Sequence, residues 1–369
     1  MKAPAVSAHP IIMSGDSDIS ENLQVAVHAA IADRTPLSIV AGGTKQFYGR
    51  QAEGKPLDVS GNRGIVAYEP TELVVTARGG TPLVELETIL AEKGQMLPFE
   101  PPHFGPHATL GGTIACGFSG PRRPYAGAAR DFVLGVKCLT GKGEVLTFGG
   151  QVMKNVAGYD ASRLMVGALG TLGILLDISL KVLPKPAHEI TLAVDQVEAG
   201  AIALMNTWGS QPLPVSAACF DGTRVYARLS GTEQGATAAH KKIGGELVKD
   251  GHDFWHSIRE HRHSFFNDDT PLWRLSVAPA TPQLELPGTW LLDWGGAQRW
   301  FKSDASAAAV RQAVGAVGGH ATLFRGGDRN ADVFHPLPEP LMALHRNLKK
   351  AFDPYGILNV KRMYLGVDP

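Results

Sequence analysis

The sequence predicts an α+β chain, and three observations carry that expectation. Segments with apolar residues at helical spacing alternate with short runs of β-forming residues. Two glycine-rich stretches, Ala41-Gly42-Gly43-Thr44-Lys45 and the segment from His107 to Gly120, interrupt the alternation where a packed core would need larger side chains. Pro184-Lys185-Pro186 then stops regular structure in mid-chain, so a second domain is expected beyond it.

Ser20 is placed to cap a helix over Glu21 to Ala32, in which Leu23, Val27, Ala30 and Ile31 share a face. A buried strand, Leu37 to Val40, delivers the first glycine loop, and Leu57 to Ser60 and Leu73 to Ala77 read as further strands. Thr81-Pro82 opens a helix with Leu83, Leu86, Ile89 and Leu90 on one side, stopped by Gly94. Phe132 to Leu139 and Val145 to Phe148 are strands joined by a Gly141-Lys142-Gly143 turn, and the apolar run from Gly173 to Leu183 closes the region.

Beyond the prolines, a helix over Thr232 to Ile243 ends at Gly244-Gly245 before the run Glu246 to Val248. A helix over about Asp304 to Val317 ends at Gly318-Gly319 before Ala321 to Phe324. The recurrence predicts two related helix-to-strand units on one antiparallel sheet, an appearance that a chance second Gly-Gly pair would also produce. A last helix, Pro340 to Phe352, aligns Leu341, Leu344, Leu348 and Phe352 and runs into the turn Asp353-Pro354-Tyr355-Gly356. The expected division is residues 1–187, 188–330 as a smaller α+β cap-like domain, and 331–369 returning to the first domain.

Composition excludes several function classes. The 369 residues, 44% of them hydrophobic, suffice for more than one core. Thirty-five basic residues balance 35 acidic ones, so no overall field favours nucleic acid or an anionic membrane. Cys116, Cys138 and Cys219 form no C-x-x-C pair and are odd in number, which argues against a disulfide framework and against a zinc or iron–sulfur site, and fits a reducing compartment. Met1 to Asp16 has no basic-flanked apolar core and no run of about eighteen apolar residues occurs, so a cytoplasmic chain is expected.

An isolated Gly42-Gly43 is ordinarily a tight turn. The second stretch shifts that reading, because Gly111, Gly112, Gly117 and Gly120 lie among Thr113, Ala115 and Ser119, too small a set to pack a core. Glycines there let main-chain N–H groups close on an anion and tolerate the positive φ of a concave nest, so two cradles for one phosphate-bearing cofactor are expected. Gly167, Gly170 and Gly173 have the wrong spacing for G-x-G-x-x-G, and Gly135 to Lys142 is one residue too long for a P-loop, which sets aside a Rossmann NAD site and an ATPase.

Over most of residues 15–187 these motifs resemble the vanillyl-alcohol-oxidase-type, or PCMH-type, FAD-binding fold. Ala41-Gly42-Gly43-Thr44-Lys45 resembles its pyrophosphate loop. Thr109-Leu110-Gly111-Gly112-Thr113-Ile114-Ala115, Arg122-Arg123 with Tyr125-Ala126-Gly127, and Arg130-Asp131-Phe132-Val133-Leu134-Gly135-Val136 resemble its second binding segment. Gly158-Tyr159-Asp160 and Gly170-Thr171-Leu172-Gly173-Ile174 resemble the segment closing over the adenosine. With the glycine stretch, the resemblance implies FAD contacts from Ala41, Gly42, Gly43, Thr44, Lys45, Thr109, Leu110, Gly111, Gly112, Thr113, Ala115, Gly117, Ser119, Gly120, Arg122, Tyr125, Gly173 and Ile174. Some relatives tether the flavin through a histidine in the pyrophosphate loop. Thr44 and Lys45 stand in that place here, which implies non-covalent FAD.

Three further stretches resemble the FAD-binding E subunits of bacterial glycolate oxidases. They are Lys154-Asn155-Val156-Ala157-Gly158-Tyr159-Asp160, Phe254-Trp255-His256-Ser257-Ile258-Arg259, and the tail Phe352-Asp353-Pro354-Tyr355-Gly356-Ile357-Leu358-Asn359 with Arg362-Met363-Tyr364. Val360-Lys361 stands where that family usually has Pro-Gly. The resemblance implies two partners, a larger related FAD-binding catalytic subunit and an iron–sulfur subunit, which would hold the chain at the inner face of the membrane. It also implies oxidation of glycolate to glyoxylate.

Oxidising a 2-hydroxy acid requires a flavin to accept hydride, a base for the hydroxyl proton and a cation for the carboxylate. Arg274, Arg325 and Arg329 are candidate clamps, although salt bridges are the commoner use of arginine. His335 is a candidate base or a histidine hydrogen-bonded beside a proline turn. His252, His256, His261 and His263 lack a completing carboxylate, so no metal is expected. Lys45 suits a diphosphate as a point charge, while Arg122 and Arg123 line the cofactor, meet a partner or are simply solvated. Two other functions stay open: a self-sufficient FAD-dependent 2-hydroxyacid or alcohol dehydrogenase, and a subunit whose FAD is structural or relays electrons.

Overall fold

The computed structural model describes residues 16–150 and 161–369, so the Lys154 to Asp160 motif and most of the Met1 to Asp16 stretch lie outside the described residues. Helix α1 (Ser20–Asp33) leads to β1 (Leu37–Val40), which pairs in parallel with β2 (Lys55–Asp58). There follow β3 (Ile65–Glu69), β4 (Val74–Arg78), α2 (Leu83–Glu92), the short β5 (Gln95–Met96) and α3 (Leu110–Cys116). Two single-turn helices, α4 (Arg123–Ala126) and α5 (Ala129–Phe132), precede β6 (Val133–Leu139), β7 (Val145–Gly149), β8 (Ile174–Lys181) and β9 (Leu183–Pro184). Strands β3-β4-β8-β6-β7 make a five-stranded antiparallel sheet. The inner face of α2, Leu83, Leu86, Ile89 and Leu90, packs on Ala77, Ile178 and Leu180 of that sheet, each fully buried apolar side chain contributing roughly 1.5–3 kcal/mol.

Local departures from the expected boundaries have local causes. Ser20 is the first residue of α1 and not its cap, because its hydroxyl and N–H both engage the Asp18 carboxylate. Strand β2 ends at Asp58, whose side chain accepts from the Ser60 N–H and turns the chain. Strand β4 begins one residue late because Leu73 sits at φ 56°. The proline stretch is stitched in place: Leu183–Pro184 pairs with Gln95–Met96, and the Lys185 N–H donates to Gly94 O at 2.8 Å.

The second half continues with β10 (His188–Asp195), α6 (Glu198–Gly209), β11 (Val215–Phe220), β12 (Arg224–Gly231), α7 (Glu233–Ile243), β13 (Glu246–Leu247) and α8 (Gly251–Arg259). It then runs through β14 (Leu272–Ser276), β15 (Thr289–Asp293), β16 (Gln298–Lys302), α9 (Ala307–Ala316) and β17 (His320–Arg325). One eight-stranded antiparallel sheet results, in the order β13-β10-β12-β11-β15-β16-β14-β17. Each group of four has the same topology, fourth-first-third-second, as in ferredoxin-like folds, and a single residue pair, Phe220 opposite Leu292, joins the groups. The two helix-to-strand units expected from the paired glycines, α7 into β13 and α9 into β17, occupy equivalent places in this duplication. Thr232 and Ser306 cap the two helices by accepting from Gly235 and Ala309 N–H.

Helix α10 (Glu339–Phe352) carries the chain back to the first half. Its expected apolar stripe splits: Leu348 and Phe352 pack on the core below, whereas Leu341 and Leu344 are exposed and Lys349 is the buried residue. The tail then lies beside β1, with Leu37 N–H donating to Ile357 O at 2.7 Å and Asn359 N–H to Leu37 O at 2.9 Å.

Between the halves, Arg122 pairs with Glu100 at 3.0 Å and with Glu189 at 2.7 Å, while Arg228 pairs with Glu100 at 2.8 Å. Burial alone would raise the Glu100 carboxyl, but the Arg228 and Arg122 guanidiniums outweigh it and hold the group below its ordinary value. A depressed folded pKa adds stability that is present above the unfolded carboxylate value and is lost as pH falls through the folded one. Glu100→Gln should therefore lower the melting temperature at pH 7, by about 3–5 kcal/mol of stability, and the gap from wild type should narrow in melts taken toward pH 3. A gap that is constant with pH would mean that the charge of Glu100 plays no part.

Candidate functional site

Strand β1 ends in the Ala41–Lys45 loop, which faces the end of α3 across a cleft of about 450 Å³, within the range of cofactor sites. Among the described residues no acceptor takes the main-chain N–H of Gly42, Gly43, Thr44 or Lys45. Gly43 has φ 72°, so this is a run of spare amides curved about a left-handed residue, the geometry of an anion nest. Gly42 is obligatory for another reason. A Cβ there would lie 1.5 Å from His107 O, so the loop and the His107 segment touch backbone to backbone.

The second glycine stretch supplies a wall and not a second set of amides. Leu110 N–H donates to Thr81 O at 2.9 Å, Gly111 to Gly79 O at 2.6 Å, and Gly112 to the Thr109 hydroxyl at 3.2 Å. Its glycines let α3 lie directly on the sheet, since a Cβ on Gly79 or Gly111 would fall 2.3 Å from Leu175 O or 2.8 Å from Gly79 O.

Of the residues expected from sequence, Ala41, Gly42, Gly43, Thr44, Lys45, Thr109, Gly111, Gly112, Ala115, Gly173 and Ile174 line the cleft. The other seven do not. Leu110 and Thr113 are the core-facing side of α3, at 0% exposure. Gly117 packs on Gly167, Ser119 accepts from the Ala129 N–H, and Gly120 O accepts from the Trp294 indole. Arg122 is consumed by Glu100 and Glu189, and Tyr125 packs on the core of the second half, its phenol pushed up by burial. Residues that local sequence reasoning passed over, among them Gln46, Gly49 and Asn359, also line the cleft. Asn359 closes it by accepting from Ile39 N–H at 2.7 Å and donating to Leu169 O at 2.6 Å.

The cleft is cationic. Lys45 is buried, its Nζ donating to His103 O at 3.1 Å, and burial holds the amine below its usual range. Arg329 and Arg362 also line it. Among the described residues none of Lys45, Arg274, Arg325, Arg329 or Arg362 has a carboxylate partner, so the ion pairs ordinarily expected of arginine do not form among them. Arg274 instead donates to the Tyr48 hydroxyl at 3.1 Å, and Arg325 lies 4.7 Å over the Phe47 ring. Cys116 lines the cleft as well, its thiol pushed up to about 11 by burial against the pull of Lys45, Arg362 and Arg274. Spare amides and unpaired cations without a facing carboxylate fit the diphosphate of a dinucleotide.

Past Phe47, the rings of Tyr48, Phe104, Phe118 and Phe324 form a continuous wall, with centroids 4.6–6.2 Å apart. Beyond it lies a cavity of about 20 Å³, room for about one water, lined in part by His261, Arg274 and Asp293. Burial pushes the Asp293 carboxyl up to about 7. The four grouped histidines do not converge: His252 is exposed, while His261 is buried and stacked 4.0 Å from Phe266. His335 lies outside the cleft and accepts from the Ala321 N–H at 3.2 Å.

A family model described as an FAD binding domain matches residues 19–149. Glycolate oxidase subunit GlcE of Escherichia coli (strain K12) is 48% identical over 352 residues, spanning 95% of this chain and 99% of that protein. The chain belongs to the GlcE family of glycolate oxidase subunits. Its fold is the PCMH-type α+β FAD-binding fold, its cofactor is FAD, and its class is FAD-dependent oxidoreductase. Glycolate oxidase subunit GlcD of Bacillus subtilis (strain 168) is 30% identical over 154 residues, 41% of this chain and 33% of that protein. A solved alkyldihydroxyacetonephosphate synthase superposes with a TM-score of 0.65 at 14% identity, over 92% of this chain and 75% of that one, which is a likeness of fold alone. Among the described residues no helix is long and apolar enough to cross a membrane.

Proposed function

We propose that this chain is the FAD-bearing subunit of a glycolate oxidase and works only in complex with a larger, related FAD-binding subunit and an iron–sulfur subunit. The observation that carries this reading is the lining of the cleft: spare amides and unpaired cations suited to a dinucleotide, with no histidine, aspartate or glutamate among the described residues. Oxidation of a hydroxy acid needs a group to take the hydroxyl proton. Here the side chains with a titratable N or S are the cations and a thiol raised to about 11, so a partner is left to complete the acid–base chemistry.

In this reading the Ala41 to Lys45 loop holds the diphosphate through main-chain N–H groups, with the ammonium of Lys45 behind it. Thr109, Gly111, Gly112 and Ala115 form the opposite wall, and Gly173 and Ile174 border the same space. Bound FAD would supply hydride acceptance from the α-carbon of glycolate, giving glyoxylate, and pass electrons on to the iron–sulfur partner. Attachment is non-covalent in this reading, since Thr44 and Lys45 stand where relatives that tether the flavin through the pyrophosphate loop carry a histidine. The chain stays on the cytoplasmic side, at the membrane only through its partners.

Denaturing the purified chain should release free FAD. The isolated chain, given glycolate and a dye acceptor, should turn over at least ~100-fold more slowly than the co-purified assembly, the usual scale of a missing general base. Turnover at the assembly's rate by the chain alone would identify a self-sufficient dehydrogenase, and a colourless chain that takes up no FAD would end the reading.

A further inference from the structure

We propose that Arg329 and Arg362 form a two-arginine clamp for the carboxylate of a small 2-hydroxy acid, set beside the dinucleotide in the same cleft. The inference rests on the FAD-bearing reading above and adds to it the side chains that meet the second ligand.

The two residues come from distant parts of the chain. Arg329 follows β17 and Arg362 lies in the tail, and both converge on the loop of residues 46–50 that continues from the anion nest. Arg329 donates through Nε and Nη2 to Gly49 O, at 3.2 and 2.7 Å, and through Nη1 to Leu323 O at 2.9 Å. Arg362 donates through Nη1 to Arg50 O at 2.8 Å and through Nη2 to Gln46 O at 3.2 Å. These carbonyls aim the guanidiniums without neutralising them, and they leave part of each five-donor fork without an acceptor.

The two half-buried guanidiniums meet at Gly49: its carbonyl accepts from Arg329, and a Cβ on it would lie 3.4 Å from Arg362 Nε. Like charges so placed repel, and burial together with the charge of Arg362 holds Arg329 below its ordinary value. Such an arrangement persists at a cost unless an anion joins it. Lys45, Arg329 and Arg362 together carry three positive charges into a cleft with no lining carboxylate among the described residues. The spare amides of residues 42–45 and the Lys45 ammonium face the diphosphate, which leaves the two guanidiniums for a second anion, and a monocarboxylate supplies it. The guanidinium fork favours the planar carboxylate through paired hydrogen bonds, which an ammonium cannot offer.

The test is ligand binding to the FAD-loaded chain, read as a difference spectrum of the flavin, with FAD affinity measured separately by fluorescence quenching. Glycolate should perturb the wild-type spectrum in a saturable way, and neutral ethylene glycol should not. Arg329→Gln and Arg362→Gln should each raise the glycolate Kd at least tenfold while changing the FAD Kd less than about twofold, which also shows that the variants are folded. Arg362→Lys, with charge but no fork, should recover only part of the affinity. Unchanged glycolate affinity in both Gln variants, or no response to glycolate in the wild type, overturns the clamp. Loss of FAD affinity in step with glycolate affinity overturns it too, by assigning the pair to the diphosphate. Wild-type protein that takes up no FAD defeats the FAD-bearing reading and the clamp together.

Discussion

Gly42→Ala is expected to yield a chain that neither retains FAD nor reaches wild-type stability. The added methyl would lie 1.5 Å from His107 O and 2.5 Å from the His107 carbonyl carbon, where about 3.5 Å is the comfortable separation. Both obstacles are main chain, so no rotamer change relieves them. Either the nest or the His107 segment must move by about 2 Å, which draws the spare amides of residues 42–45 away from Gly111 and Gly112 across the cleft. Overpacking of this kind costs about 1–3 kcal/mol or more. Gly43→Ala is the informative companion. Its Cβ would meet nothing nearer than the Gln46 side chain at 3.9 Å, so only the left-handed φ of 72° opposes it, at about 1–2 kcal/mol. Flavin-to-protein ratios and melting temperatures should rank wild type, Gly43→Ala and Gly42→Ala in descending order. A Gly42→Ala protein with full flavin content and an unchanged melting temperature would show that the two loops are not in contact.

The second large effect is expected at Lys349, a long cationic side chain 1% exposed inside the joint between α10 and the tail. Its Nζ donates to Asp353 at 2.7 Å, Leu358 O at 2.7 Å and Thr171 O at 3.0 Å. Asp353, at 0% exposure, also accepts from the Ile357 and Leu358 N–H groups at 3.1 and 2.8 Å. This knot sets the path of residues 357–358, and with it the approach of Asn359 and Arg362 to the cleft. Lys349→Met strands the Asp353 carboxylate in the interior, which typically costs about 3–5 kcal/mol. Melting should fall by on the order of 10 °C, and flavin retention should drop because the tail loosens. The double variant Lys349→Met, Asp353→Asn removes the stranded charge and should be the more stable of the two, a non-additivity expected of partners in one network. A single variant as stable as the double would mean that the pair is not buried in solution.

Legibility followed the range of the interaction. The β1 strand, the α2 face and the loop residues Ala41 to Lys45 are stated by local pattern, because an apolar run and a Gly-Gly pair act within a few residues. Arg122 looked like a cofactor residue because its segment resembles the family's second binding segment, a likeness carried by sequence neighbours. Its partners, Glu100 and Glu189, lie 22 and 67 residues away. Arg329 was nameable only as one of several arginines. What singles it out is a carbonyl 280 residues away in the chain, at Gly49. Leu341 and Leu344 have ideal helical spacing and yet are exposed, because the turn at Asp353 docks α10 through Lys349.

The residues alone determined that two glycine stretches exist, that an α+β chain carries them, and that a phosphate-bearing cofactor suits them, since period, turn chemistry and the lack of a Cβ are properties of neighbours; the family resemblance named that cofactor as FAD. Only the folded chain decided that one stretch offers free amides while the other has already used them, and that the cations gather where no carboxylate answers. Hydrogen-bond satisfaction and charge balance are sums over everything within a few ångströms, and that neighbourhood is assembled from β1, α3, the strand-to-helix link near Arg329 and the tail, parts of the chain as far apart in sequence as the 320 residues between Ile39 and Asn359.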